Sequence, residues 1–349
     1  MKLVIKKTIA AILVEQRKPL VISEIELPNQ ILRGQVLVKI LYSGICGSQL
    51  GEIEGIKGKD KFLPHLLGHE GIGKVIQVGP SVKKVKKNDK VLLHWMPTIG
   101  INAKPPIYKW KNKILNAGFV TTFNNHAIVS ENRITKIKEK DHDLDMLLLG
   151  CTASTAIGSV DKLCKINKDK TVVVAGCGPI GLYIIRYLSF LNVKKIIAID
   201  INKKKLNLSK KYGATEIILN NKKNKYLNNF KKIRSQIDYF FECSGNTNVI
   251  SEGYESLNNN GSMILIGVPS NKKKSKFNTL GINLGKKLIG SKGGNFNASK
   301  DIKKFSKIVS KRNLGSKDFI LKKIKLTQIN SIFTQMKKNR TLGKAIIKF

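Results

Sequence analysis

A two-part α/β chain is predicted by three features of the 349-residue sequence. Residues 171–200 read as strand, glycine turn, apolar helix, strand and acid, the order of a βαβ unit. Beyond them, β-branched runs keep alternating with helical stretches, which argues for a doubly wound parallel sheet. Before them, short apolar runs broken by glycine and proline argue for an all-β first domain.

The glycine turn is the most informative segment. It runs TVVVAGCGPIGLYIIRYLSFLNVKKIIAID. Gly176 allows the tight turn after the first strand, Gly178 lets the backbone approach a pyrophosphate, and Gly181 permits close helix–strand packing. Pro179 and Ile180 open the helix, whose N-terminal N–H groups and dipole favour phosphate. Asp200 follows about 20 residues later, where an acid meets the ribose 2′-hydroxyl of a dinucleotide. A glycine turn alone is a weak signal; set between strand and helix with the acid in place, it predicts a Rossmann-type cofactor site. An acid at position 200 repels a 2′-phosphate, so NAD is expected rather than NADP.

Composition narrows the remaining classes. Lys plus Arg number 64 against 23 acids, a net charge of +41. The excess is almost all Lys, mixed with Asn and Ile and spread along the chain, as in LNNKKNKYLNNF at 219–230 and NKKKSKF at 271–277. No specific nucleic-acid partner is expected from so diffuse a charge, only non-specific attraction to polyanions at low salt. No apolar run approaches the roughly 18 residues of a membrane span. The opening MKLVIKKTIAAILVEQRK has a basic start, but Glu15 and Arg17 close its apolar patch without a small-x-small cleavage site, so a strand is expected there. Cys46, Cys151, Cys164, Cys177 and Cys243 show no disulfide spacing, which fits a reducing cytoplasm.

Taken in order, Val36–Ile40 reads as a strand running into LYSGICGSQLGEIEG, which places Cys46 in a glycine-rich loop. In HLLGHEGIGKVIQVGPSV, residues 65–82, His69 and Glu70 precede a β-branched strand. Residues 91–93 form another strand. Residues 94–121 hold both tryptophans and no cysteine, and read as an excursion on the substrate or subunit side. A strand resumes around Phe123, His126 and Ile128. Residues 141–166 read as helical, broken at Gly150, with Cys151 next and Thr155 one turn further on. After Asp200, a Lys-rich helix at 202–214 precedes strands at 217–219, 237–241, 261–268 and 288–290. A surface helix at 301–311, a strand at 319–325, a helix at 327–338 and a closing strand at 344–349 complete the chain, its end returning to the first domain.

Cys46, His69 and Cys151 are remote in sequence, so spacing alone does not make them a site. Their chemistry is coherent nonetheless: two thiolates and an imidazole leave an open tetrahedral position on zinc. GICGSQ (44–49), GHEGIGKVIQVG (68–79), LLGCTASTAIG (148–158), VVVAGCGPIG (172–181) and GKAII (343–347) together resemble the zinc-dependent medium-chain alcohol dehydrogenase family, in that family's order. The resemblance implies a GroES-like β domain at 1–150, completed by 291–349, and a Rossmann NAD-binding domain at 151–290. It implies that Cys46, His69 and Cys151 hold the catalytic zinc, that Glu70 lies beside it, that Ser48 contacts the alcohol, and that Thr155 lies near the nicotinamide.

Two departures stand out. The structural-zinc cysteines of many members are missing from 94–121, so one zinc per subunit is expected. The histidine that ends the proton relay in some members is also missing, Gly51 standing near its position; His126 is a weak substitute. The function expected is reversible hydride transfer between NAD and an alcohol, with a secondary alcohol of a polyol, sugar or cyclitol derivative favoured because Trp95, Asn102, Lys104, Tyr108 and Trp110 occupy the excursion. A zinc-free quinone or enoyl reductase of the same fold and a non-enzymatic binding protein are the rival readings. A homodimer or homotetramer is expected.

Overall fold

The β-branched run at 36–40 is the centre of a longer strand, Gln35–Ile45, because both its edges are paired. One edge takes Gly71–Val78 along its length. The other takes His126–Ser130 at its start and Lys344–Lys348 at its end. The computed structural model that shows this describes residues 1–220, 236–311 and 314–349; most of the stretch LNNKKNKYLNNF lies outside the described residues.

Two compact units divide the chain, Met1–Cys151 with Asn297–Phe349, and Thr152–Phe296. In the first, the sheet built on Gln35–Ile45 runs in the order Ile134–Lys136, Lys90–Leu93, Gly71–Val78, Gln35–Ile45, Lys344–Lys348, Ile320–Ile324, with only the last pair parallel. A second, antiparallel sheet orders His65–Leu66, Lys7–Leu13, Val21–Glu26, Tyr108–Trp110 and Lys113–Leu115. One core cluster joins Ala11, Leu13, Ile45, Phe123 and Ile347 to Ile329, Ile332 and Phe333 of the helix Ile329–Lys337. The architecture is the GroES-like β domain with a Rossmann-type domain that the resemblance implied.

The excursion at 94–121 is a correction. Tyr108 and Leu115 are buried completely, and the Tyr108 hydroxyl accepts from the Ile128 N–H at 2.9 Å. Its hairpin extends the second sheet because alternate residues face the core. The part before it is stitched down by polar groups. The Glu131 carboxylate accepts from the N–H groups of Lys83, Lys84 and Ile101 at 2.7, 2.9 and 2.8 Å. Ser130 and Gln35 donate to the carbonyls of Ile101 and Lys104. Asn102 accepts from the Asn132 amide. His94 is buried, bonded to the Met96 carbonyl and the Thr135 hydroxyl, and burial pushes its pKa down to about 3.

The second unit is a six-stranded parallel sheet ordered Glu216–Leu219, Lys195–Asp200, Thr171–Ala175, Ile237–Glu242, Leu257–Leu265, Lys287–Gly290. In chain order this is 3-2-1-4-5-6, the dinucleotide-binding arrangement, and the switch point lies between Thr171–Ala175 and Ile237–Glu242. Val173, Ile197, Phe240, Tyr254 and Met263 form its core. The fifth strand ends at Leu265 rather than 268, because the Ile266 and Gly267 N–H groups turn to the Glu242 carbonyl. The limits expected at 150/151 and 290/291 stand beside observed breaks at 151/152 and 296/297. Residues Gly293–Asn295 pack on the helix Thr152–Leu163, where a Cβ on Gly158 would lie 2.5 Å from the Gly294 carbonyl oxygen.

Glu131 gathers three backbone donors into one charged acceptor, so its loss is expected to loosen the 94–107 segment. Glu131→Ala should cost roughly 2–3 kcal/mol in denaturant unfolding, the order of a charge-assisted hydrogen bond or two. Burial opposes the Glu131 charge, but the three N–H groups and Lys84 outweigh it and lower its pKa. Its contribution is therefore complete above the ordinary glutamate range and fades as pH falls through the lowered value. A deficit of the same size at strongly acid pH would contradict this account.

Candidate active site

Strand register brings the remote ligands together. The pairs Ser43–Gly71 and Ile45–Ala345 set Cys46, at the end of the long strand, beside His69 and Glu70 on one side and Lys344 on the other. Gly71 also pairs with Leu93, against whose carbonyl Gly150 packs, and Cys151 follows. The ligating atoms of Cys46, His69, Glu70 and Cys151 all lie within 4.8 Å of one another. Glycines make the room: a Cβ on Gly44 would stand 2.5 Å from Glu70 Cδ, and one on Gly150 would stand 2.8 Å from Glu70 Cβ.

The electrostatics suit a cation. Cys46 is pulled well below the ordinary thiol range by a hydrogen bond from Cys151, against burial, with help from His69 and Lys344. Cys151 is correspondingly raised by that same bond and by burial. Burial lowers the His69 pKa, but the neighbouring Cys46 sulfur outweighs it and leaves the imidazole raised. His69 Nε2 and Glu70 Oε2 are buried with no hydrogen-bond partner. Two converging cysteine sulfurs and an imidazole are a donor set that zinc would complete.

Two residues of this centre were missed in the sequence. Lys344 Nζ pairs with Glu70 Oε1, both buried. Burial opposes the Lys344 charge, and Glu70 with the two cysteine sulfurs overcomes it, so its pKa is raised. The signal was a lysine opening an otherwise apolar closing strand, which demands an acidic partner. Gln49 accepts from the Cys46 N–H at 2.9 Å and its amide nitrogen contacts His69 Nδ1. Its signal was the i, i+3 spacing of a capping box at the start of the helix Gly47–Ile53. Ser48 Oγ lies 3.5 Å from His69 Nδ1.

Other candidates fall elsewhere. His126 lies in strand register with Lys39 and touches Thr8 Oγ1 at 3.4 Å; burial and Lys39 lower its pKa, as for a packed strand histidine. Tyr108 is a core residue and lines no pocket, whereas Asn102 is exposed and accepts from the Asn132 amide.

In the second unit the glycine turn has the geometry a dinucleotide needs. Gly176 sits at φ 95°, and a Cβ on Gly181 would lie 2.0 Å from the Gly176 carbonyl oxygen. At Gly178 a Cβ would meet nothing within 4 Å, leaving open space over the start of the helix Pro179–Phe190, whose first turn holds Ile180. Asp200 Oδ2 accepts from the Cys177 N–H at 2.7 Å and Oδ1 from the Asn202 N–H at 2.8 Å, which fixes the carboxylate at the strand end beside the turn. Thr155 is buried on the helix Thr152–Leu163.

Comparison with known proteins agrees with this geometry. The family profile described as "Alcohol dehydrogenase GroES-like domain" matches residues 32–139, and that described as "Zinc-binding dehydrogenase" matches residues 179–311. The chain belongs to the zinc-type medium-chain dehydrogenase family. An S-(hydroxymethyl)glutathione dehydrogenase of Escherichia coli strain SMS-3-5 / SECEC is 28% identical over 97% of this chain and 99% of its own length. Two solved structures share the fold at 23% identity. An alcohol dehydrogenase zinc-binding domain protein from Burkholderia ambifaria has a TM-score of 0.86 over 99% of both chains. Benzyl alcohol dehydrogenase from Acinetobacter calcoaceticus has a TM-score of 0.84 over 99% of this chain and 100% of its own. The protein is thus a zinc-type alcohol/aldehyde oxidoreductase. No helix among the described residues is long and apolar enough to cross a membrane.

For this dehydrogenase, replacing one sulfur of the cluster tests the metal assignment directly. Cys46→Ser is expected to lower zinc retained after dialysis by tenfold or more, since even outer partners of metal ligands are worth about 10–100-fold in affinity. Metal analysis alongside circular dichroism reads this; wild-type zinc content in a folded variant would remove Cys46 from the ligand set.

Proposed function

We propose that this dehydrogenase oxidises an alcohol reversibly to its carbonyl compound, with NAD as the hydride acceptor. The observation that carries the reading is the buried cluster of Cys46, His69 and Cys151 with the orphaned His69 Nε2. These three residues would hold zinc, and Glu70, tied to Lys344, would remain beside it. Bound zinc supplies Lewis acidity, lowering the pKa of an alcohol hydroxyl and polarising a carbonyl in the reverse direction. Ser48, in the first turn after Cys46, is placed to accept the hydroxyl proton. In the second unit, Gly176, Gly178, Pro179, Ile180 and Gly181 would cradle the pyrophosphate, Asp200 would take the adenosine ribose hydroxyls, and Thr155 would lie near the nicotinamide. A zinc-free reductase of the same fold has no use for two cysteines converging on a histidine, which favours the zinc reading.

The polyol, sugar or cyclitol class stays the finer proposal for the substrate, now without the support of Tyr108. Exposed Leu280, Ile282 and Leu284 precede the sheet's edge strand Lys287–Gly290, which itself exposes Leu288, and they support self-association as a homodimer or homotetramer. Five free cysteines support a reducing, cytoplasmic setting.

A panel of simple alcohols, aromatic alcohols and polyols with NAD, followed by NADH absorbance in the zinc-loaded protein, tests the activity and ranks the substrate classes. NADH formation with at least one alcohol is expected, lost on verified zinc removal; full turnover without zinc would overturn the reading. Asp200→Ala is expected to shift the NAD-to-NADP ratio of kcat/KM by tenfold or more, since one acid–phosphate contact is worth about 1–3 kcal/mol. An unchanged ratio would show that Asp200 does not set the preference.

A further inference from the structure

The helix Gly47–Ile53 that begins directly after Cys46 carries a single ionisable side chain, Glu52. Ser48 and Glu52 stand at i and i+4, so their side chains share one face with Cβ atoms about 5–6 Å apart. Both are half-buried, while Gln49, Gly51 and Ile53 are covered by the core. At the inner end of this face Ser48 Oγ reaches His69 Nδ1 at 3.5 Å. The charges of His69, Lys57, His65 and Asp60 all act on Glu52. His65 Nε2 and Asp60 Oδ2 are bonded at 2.7 Å, and the other ring nitrogen of His65 is 3.0 Å from the Leu66 carbonyl. Gln16 closes the turn through the Glu52 carbonyl and the Gly58 carbonyl, and accepts from the Asp60 N–H. The neighbouring acid, Glu54, is committed to Lys337.

Among the described residues, no side chain donates a hydrogen bond to the Glu52 carboxylate. A half-buried acid without a side-chain donor thus stands one helical turn beyond the hydroxyl that faces the metal cluster, where a proton could pass. The relay histidine of some relatives has no counterpart on this helix, where Gly51 stands near its position.

We propose that Glu52 is the proton relay residue of this enzyme, taking the proton released from the alcohol through Ser48 and handing it outward beside the Asp60–His65 pair. The inference rests on the alcohol-oxidation reading. In the forward direction the alcohol O–H bond breaks as Ser48 Oγ takes the proton. The hydroxyl proton of Ser48 moves to a Glu52 oxygen, directly or through one water, and Glu52 then releases it toward solvent. One proton is transferred in all, and the electron pair leaves separately as hydride to NAD. Burial raises the Glu52 pKa, with His69, Lys57 and His65 opposing it and Asp60 adding to it; a raised carboxyl pKa makes exchange with water near neutrality easier.

The test uses the zinc-loaded protein and an alcohol from the panel, with kcat/KM followed against pH for the wild type, Glu52→Gln and Glu52→Asp. Glu52→Gln is expected to keep its zinc and to lose about tenfold to a hundredfold in kcat/KM at neutral pH, a modest acid–base contribution. Its acid-side limb should change, and added imidazole should restore turnover in proportion to its concentration. Glu52→Asp should recover part of the rate with a shifted limb. A wild-type pH profile and no imidazole response in zinc-bearing Glu52→Gln would overturn the relay and leave the dehydrogenase reading intact. If Glu52→Gln does not fold, an unshifted profile in Glu52→Asp overturns it equally. No NADH formation by the wild type with any alcohol would sink both.

Discussion

A carboxylate shut away from water needs a positive partner, and much of the first unit is arranged around that requirement at Glu70. The side chain is fully buried, and Lys344, itself 1% exposed, comes from the far end of the chain to meet it. Removing either member of such a pair costs about 3–5 kcal/mol, because the other is left uncompensated. The closing strand is therefore bound to the long central strand by charge as well as by its ladder. The same ammonium lies within the field of the Cys46 and Cys151 sulfurs. One lysine thus ties the end of the chain to the metal cluster.

Cost and chemistry meet at this point. Two thiols, an imidazole and a carboxylate crowded within 4.8 Å are expensive to bury unless a cation joins them. The unpartnered His69 Nε2 and Glu70 Oε2 mark where the protein leaves polar groups unsatisfied. The segment before the hairpin is held differently. The 94–107 segment, with no cysteine to hold a second metal, is closed by Glu131, Ser130, Asn132 and Gln35, each engaging backbone or amide partners.

Charge has a different meaning at each scale. The net charge of +41 is spread over the chain, and most of its lysines are exposed and screened by salt. Two lysines are instead partly or wholly buried: Lys344 beside Glu70 and the two cysteines, and Lys84, which burial pushes down to about 8, against Thr98 and Ile134. Position rather than number decides what a lysine does.

Wherever a local pattern carried the information, the residue order alone was enough. The turn from Gly176 to Gly181 and the acid at 200 are contiguous, and their spacing reflects backbone geometry that no distant contact alters. The parallel sheet followed from strands alternating with helices. The all-β character of the first domain followed from β-branched runs between glycine turns. Cys46, His69 and Cys151 were recognisable only through their surrounding motifs, because nothing local relates residues so far apart. Their convergence was decided by register: Ser43 opposite Gly71, Ile45 opposite Ala345 and Gly71 opposite Leu93. Register also decided that Lys344 faces inward, and helix phase decided that Glu52 lies on the face of Ser48. Tyr108 shows the reverse case, an aromatic in a loop-like stretch that proved to be core because a hairpin there completes a sheet. Sequence determines which chemistry is present and how the backbone turns locally; which distant groups share it depends on strand pairing and burial, which exist only once the whole chain has folded.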